Sequence, residues 1–181
     1  MPANKNDLKF LEESIRNIPG FPKPGIIFRD VTTLFKDTAA LKKAADIMAA
    51  EYKNKNIDKV VAVEARGFIL GAIIAYKIGA GLVLVRKKGK LPCKTISASY
   101  ELEYGTDTLY MHSDALLAGE KVLIVDDLLA TGGTVSAVVK LANKQKARIA
   151  GISFLIELVD LKGRAKFRGY PVSSLVKFEG E

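Results

Sequence analysis

The chain has 181 residues, 49% hydrophobic and 27% charged, the balance of a folded domain with a real core rather than of a disordered chain. Lysine and arginine outnumber the acids 28 to 20, a net charge of +8, which draws the protein to polyanions, acidic surfaces or phosphorylated small molecules. A lone Cys93 forms no internal disulfide, MPANKNDLKF lacks a signal peptide's apolar run, and the longest apolar stretch, Gly67 to Tyr76, is too short for a bilayer, so one cytoplasmic domain over 1–181 with no membrane partner is expected.

Leu8, Leu11, Ile15 and Ile18 recur at helical spacing and predict a first amphipathic helix, stopped by Pro19-Gly20. The prolines of Phe21-Pro-Lys-Pro-Gly25 exclude a helix there and leave Ile26 to Arg29 extended or irregular. Asp37 is a plausible N-cap for a second helix carrying Leu41, Ala44, Ala45, Met48 and Tyr52. Short apolar runs then alternate with helical patterns. Val60–Val63, Leu82–Val85, Val122–Val125 and Ile149–Ile156 read as buried strands, and 67–78 and 134–144 as helices. Few polar residues interrupt the strands, so the expectation is an α/β fold whose parallel sheet is covered on both faces. Between Lys94 and His112 the Thr, Ser and Tyr residues and the alternation at Thr106–Tyr110 suggest antiparallel strands or a mobile flap.

VLIVDDLLATGGT, Val122 to Thr134, reads as strand, two acids, glycine turn and helix. Gly132 and Gly133 open turn dihedrals that let N–H groups converge on a phosphate at a helix N-terminus, with the Thr131 and Thr134 hydroxyls as further donors. Asp126 and Asp127 repel phosphate but accept hydrogen bonds from vicinal hydroxyls and can hold Mg²⁺ through water, so the two elements together imply a phosphorylated ribose. Taken singly, each element reads as ordinary turn chemistry. No Gly-Lys-Ser/Thr follows the glycines, and Gly79-Ala-Gly81 lacks a third glycine, which disfavours ATP hydrolysis and NAD binding. The basic run Arg86, Lys87, Lys88, Lys90 and Lys94, broken by Gly89 and Pro92, reads as a loop suited to phosphate; the surplus between Lys140 and Arg168 reads as a solvated face.

The same stretch resembles the 5-phosphoribosyl 1-pyrophosphate (PRPP) motif of the type I phosphoribosyltransferases, in the wording of their adenine-using branch. PKPGIIFRDVT (Pro22 to Thr32), EARGF (Glu64 to Phe68), VRKKGKLP (Val85 to Pro92) and ELEYGTD (Glu101 to Asp107) follow in family order and spacing. The resemblance implies a PRPP-transferase fold with an N-terminal hood (1–35) and a basic loop and flap (86–112), and transfer of a phosphoribosyl group to adenine, giving AMP and pyrophosphate. It implies that Ala130, Thr131, Gly132, Gly133 and Thr134 bind the 5′-phosphate, that Asp126 and Asp127 meet the ribose hydroxyls, and that Arg66, Arg86, Lys87 and Lys90 surround the pyrophosphate with Mg²⁺. For adenine it implies backbone groups of Ile27 and Arg29, stacking by Phe28, and closure by Leu128. In the flap it makes Glu103 the acid/base residue, with Tyr104 beside it, and it implies a homodimer. A guanine, hypoxanthine or xanthine transferase is the alternative among enzymes. The +8 charge motivates a nucleic-acid-binding regulator, against which stand the base-binding and flap segments; no nucleic-acid partner is therefore expected. Cys93 reads as incidental and His112 as structural.

Overall fold

In the computed structural model, which describes residues 4–101 and 105–180, the N-terminal part forms α1 (Lys5–Glu13), β1 (Arg16–Pro19), β2 (Ile27–Asp30), α2 (Thr32–Lys36) and α3 (Thr38–Ala50). The alternating part follows as β3 (Lys59–Val63), α4 (Gly67–Ile78), β4 (Gly81–Lys87), β5 (Thr95–Glu101), β6 (Thr106–His112), β7 (Lys121–Leu129), α5 (Gly133–Lys144) and β8 (Arg148–Leu158). Two short 3₁₀ segments, Val159–Leu161 and Gly163–Phe167, lead into β9 (Val172–Phe178).

The main sheet runs β5-β6-β4-β3-β7-β8-β9. Strands β4, β3, β7, β8 and β9 are parallel, and β6 and β5 extend that sheet antiparallel at the β4 edge. Side chains alternate between the faces. Val61, Val63, Val83 and Val85 pack toward Val135, Val138 and Leu141 of α5; Val60, Leu123 and Val125 pack with Met48 of α3 and Leu70 and Ile74 of α4. Helix α3 begins where expected: the Asp37 carboxylate accepts from the Ala40 N–H at 2.8 Å.

Three expectations need correction. The apolar stripe through Ile15 and Ile18 does not continue the first helix. The Ser14 hydroxyl bonds back to the Phe10 carbonyl, the Arg16 N–H is taken by Thr33 Oγ1, and Arg16 to Pro19 pair as β1 with β2. Strand β4 is not fully covered on both faces: Val83 and Val85 are buried, whereas Leu82 and Leu84 stay 41% and 36% exposed on the side where α4 lies chiefly over β3 and β7 and only reaches the edge of β4. The basic run is not all loop, since Arg86 and Lys87 are the last residues of β4, paired with Tyr110 and Leu109 of β6. Of the two readings of 94–112, the antiparallel pair is present as β5 and β6, in register from Thr95↔His112 to Glu101↔Thr106. Strands β1 and β9 and helix α2 were not anticipated.

Candidate functional site

At the carboxyl ends of β3 and β7, where ligands gather in open α/β sheets, lies a cleft of about 350 Å³ lined by Glu64, Ala65, Arg66, Phe154 and the run from Asp126 to Val135. Strand β7 carries both acids in its buried length and ends at Leu129. The chain then turns through Ala130 to Gly132 into α5, one residue earlier than expected. Gly132 has φ +77°, the left-handed region that only glycine enters freely. The N–H groups of the first helical turn have no intrahelical partners and face the cleft's end, where an anion is favoured.

The carboxylates of Asp126 and Asp127 are almost wholly removed from water. Burial pushes Asp126 well above the ordinary carboxylate range and the Asp127 charge pushes it further, while the backbone N–H of Asp127, at 2.9 Å from Asp126 Oδ1, pulls the other way. Burial also raises Asp127, opposed by Arg66. Arg66 Nε lies 2.6 Å from Asp127 Oδ2, off the line of a hydrogen bond, and that buried oxygen has no hydrogen-bond partner among the described residues. Two buried acids, one with an oxygen held only by an ion pair, can accept from the donors of a polar ligand. Among the described residues no group of three His, Cys, Asp or Glu is placed to hold a metal by itself.

The predicted cations gather at the other rim, each on a carboxylate. Glu64, beside Arg66 in the chain, accepts from Arg86 Nε and Nη2 at 3.3 and 3.2 Å, from Lys90 Nζ at 2.5 Å, and from the backbone N–H of Lys87 at 3.1 Å. Burial pushes Glu64 up, but the bonds from Lys90 and Arg86 outweigh it and hold its pKa at about 2. Lys87 Nζ turns to Asp107, at 3.0 Å. Asp107 also accepts from the Tyr100 hydroxyl at 3.3 Å, its cross-strand partner between β5 and β6. Arg66 therefore lines one edge of the cleft with Arg86 and Lys90 behind it on Glu64, and Lys87 ties that edge to the turn end of the β5–β6 hairpin.

The predicted base-binding residues lie in the small β1–β2 sheet and at the end of β7. The Arg66 guanidinium sits 5.8 Å from the Phe28 ring centroid, and Phe28 packs edge-on against Phe21 at 5.3 Å. Strand β2, which carries Ile27, Phe28 and Arg29, pairs with β1 along one edge. The Arg29 side chain points elsewhere, over the Phe178 ring and onto Asn17. Leu128 lines the cleft. Glu103 and Tyr104 lie outside the described residues. His112 Nε2 is 2.7 Å from the Pro92 carbonyl and ties the loop to β6. Sequence reasoning passed over Glu64 and Asp107, although the first stands in the same EARGF run as Arg66.

A family model described as phosphoribosyl transferase domain matches residues 30–177. An adenine phosphoribosyltransferase from Clostridium kluyveri is 56% identical over 169 residues, 93% of this chain and 98% of its own, and one from Brachyspira hyodysenteriae is 54% identical over 168 residues, 93% and 99%. Among solved structures, the adenine phosphoribosyltransferase of Thermoanaerobacter pseudethanolicus matches with TM-score 0.91 at 49% identity, over 94% of this chain and 99% of that one. The Saccharomyces cerevisiae enzyme, complexed with an imino-altritol bisphosphate and adenine, matches with TM-score 0.89 at 36% identity, over 96% and 100%.

Proposed function

The chain belongs to the phosphoribosyl transferase family, and from that premise we propose that it is a pentosyltransferase of purine salvage that moves the 5-phosphoribosyl group of PRPP to adenine, giving AMP and pyrophosphate. The observation that carries the reading is the meeting of two unlike half-sites: a glycine turn at a helix N-terminus beside two buried acids, and, across the cleft, Arg66 with Glu64, on which Arg86 and Lys90 converge. The relatives named adenine phosphoribosyltransferase, matched over nearly their whole length, supply the base.

In this reading the N–H groups and hydroxyls of Ala130 to Thr134 hold the 5′-phosphate, and Asp126 and Asp127 accept from the ribose hydroxyls, using the acceptor that Asp127 leaves open. Arg66, Arg86, Lys87 and Lys90 meet the pyrophosphate and stabilise its charge, which grows as it leaves. Backbone groups of Ile27 and Arg29 on β2 read the adenine edge, Phe28 stacks on the ring, and Leu128 closes the pocket. A ring nitrogen of adenine bonds to the ribose carbon as the bond from that carbon to the pyrophosphate oxygen breaks, and Glu103, with Tyr104 beside it, takes the proton the base gives up. Mg²⁺ bound with the substrate would neutralise pyrophosphate charge. The donor set fits that role, because the buried carboxylates Asp126 and Asp127 beside the cleft could reach such an ion through water.

A homodimer belongs to the same proposal. Ile69, Ala72 and Tyr76 share an exposed face of α4, with Tyr76 88% exposed, and Leu82 and Leu84 lie bare on the neighbouring strand; an apolar patch of this kind is what a second copy would cover. The proposal also places the enzyme in the cytoplasm as one domain, with a hood over 1–35 and a basic loop and flap over 86–112. The test is pyrophosphate release from PRPP and Mg²⁺ with adenine, guanine, hypoxanthine, xanthine and orotate in parallel, with the nucleotide identified in each case. Release with adenine, yielding AMP, is expected. Release only with a 6-oxopurine overturns the base, and binding of PRPP without turnover on any base overturns the enzyme.

A further inference from the structure

We propose that the segment Gly163–Phe167, from the basic stretch that reads in sequence as a solvated face, is a positioning strut for the 5′-phosphate loop, locked by an Arg164–Glu157 fork. The proposal rests on the reading of Ala130 to Thr134 as that loop. The segment lies backbone to backbone against it. A Cβ on Gly163 would stand 2.0 Å from the Ala130 carbonyl oxygen and 3.0 Å from the Gly132 nitrogen, so no other residue fits while the loop keeps its place. The fit is mutual, because a Cβ on Gly132 would meet the Gly163 carbonyl oxygen at 2.9 Å and the Phe167 ring at 3.2 Å. Phe167 is buried and packs on Phe154, which lines the same cleft, with ring centroids 6.3 Å apart.

What fixes the segment is one guanidinium. Arg164 donates from Nε and Nη2 to the two oxygens of Glu157 at 2.8 and 2.5 Å, from Nη1 to the Val172 carbonyl at 2.7 Å, and from Nη2 to Ser174 Oγ at 2.9 Å. The Ser174 hydroxyl donates in turn to Glu157. Glu157 is buried on β8, in register with Leu129, the residue before the loop, and Val172 and Ser174 belong to β9. The fork therefore clamps the strut to two strands of the sheet. A bidentate guanidinium fixes an angle as well as a distance, which a lysine ammonium cannot do. Neither Arg164 nor Glu157 is among the residues lining the cleft; they act through the loop as positioning residues.

The strut serves one subsite, so its loss is read as a split between ligands. In Gly163→Ala the KM for PRPP and the Kd for AMP, which carries the 5′-phosphate, rise about tenfold, and in Arg164→Lys about threefold, with kcat and the Kd for pyrophosphate within about twofold of the parent. Should Gly163→Ala fail to fold, Arg164→Lys and Phe167→Leu carry the test. Equal weakening of AMP and pyrophosphate would make the segment merely structural, and unchanged PRPP and AMP binding in Arg164→Lys would remove the fork from its role; either result overturns the proposal. Thr134→Ala separates the underlying reading. If Thr134→Ala weakens AMP and the strut variants do not, the strut alone fails; if Thr134→Ala leaves AMP binding untouched, the loop assignment fails and the strut with it.

Discussion

On the proposed reading, the two rims of the cleft recognise negative charge by different means. The rim at β7 and α5 is built of backbone: a strand, a left-handed Gly132 and a helix start, with two acids buried beside it and Gly163 pressed against its outer side. The rim at β3 and β4 is built of long side chains, more exposed, each held by a carboxylate that a stronger anion can outbid. Backbone dipoles cannot move away, so the first rim is preorganised and unforgiving of small changes. The ion pairs of the second are weak individually and rearrange readily. That contrast suits a substrate whose 5′-phosphate stays put through the reaction and whose pyrophosphate must leave.

The contrast is broken most severely at Gly132. A side chain there forces the left-handed backbone on an L-residue, at about 1–2 kcal/mol, and meets the Gly163 carbonyl oxygen at 2.9 Å. Gly132→Ala should therefore lower kcat/KM for PRPP at least about a hundredfold in steady-state assays. Next comes Asp127→Asn, with two effects of opposite sign. It removes a hydroxyl acceptor, so kcat/KM falls by about ten- to a hundredfold, while relief of a buried charge raises the melting temperature by about 2–4 °C in calorimetry.

The pH dependence follows from the same pair. Asp126 and Asp127 titrate above the ordinary carboxylate range, so as pH falls the KM for PRPP should begin to rise while exposed carboxylates are still ionised. Protonation in the folded state at a pH where the unfolded chain is ionised means that the pair's contribution to stability declines as pH increases, and Asp127→Asn should flatten that decline.

Glu64 has the opposite sign. Held at about 2, it contributes stability that is complete above its unfolded value and is lost as pH falls toward 2. Glu64→Gln should narrow the acid side of the unfolding profile and, by freeing Arg86 and Lys90, lower kcat/KM about tenfold. The smallest effect belongs to the outer pair. Asp107→Asn should change the KM for PRPP by less than about threefold at physiological salt, in line with an exposed ion pair.

How much of this could be read from the letters follows the same division. The β7–α5 rim is local in sequence, so apolar run, acids and glycines stand in one stretch of thirteen residues, with the helix following directly. Gly163 and Arg164 are thirty residues further on, and nothing in their spacing reveals that the sheet returns them to the loop. The misread first helix has a similar cause. Ile15 and Ile18 fit a helical stripe, but Thr33 and Asp30, distant in sequence, capture Arg16 through its N–H and its guanidinium and turn the chain into a strand. Leu82 and Leu84 look like core in a continuous apolar run, and only the placement of α4 shows them bare. Glu64 was legible as a charge but not as the acid on which the basic residues converge.

The division of the cleft into two independent rims is tested most directly by crossing two variants with two ligands: AMP and pyrophosphate titrated calorimetrically into Gly132→Ala and into a Lys87→Met, Lys90→Met double variant. The account predicts a crossed pattern, in which the glycine variant loses AMP and keeps pyrophosphate while the lysine variant does the reverse. Loss of both ligands to the same degree in both variants would contradict it.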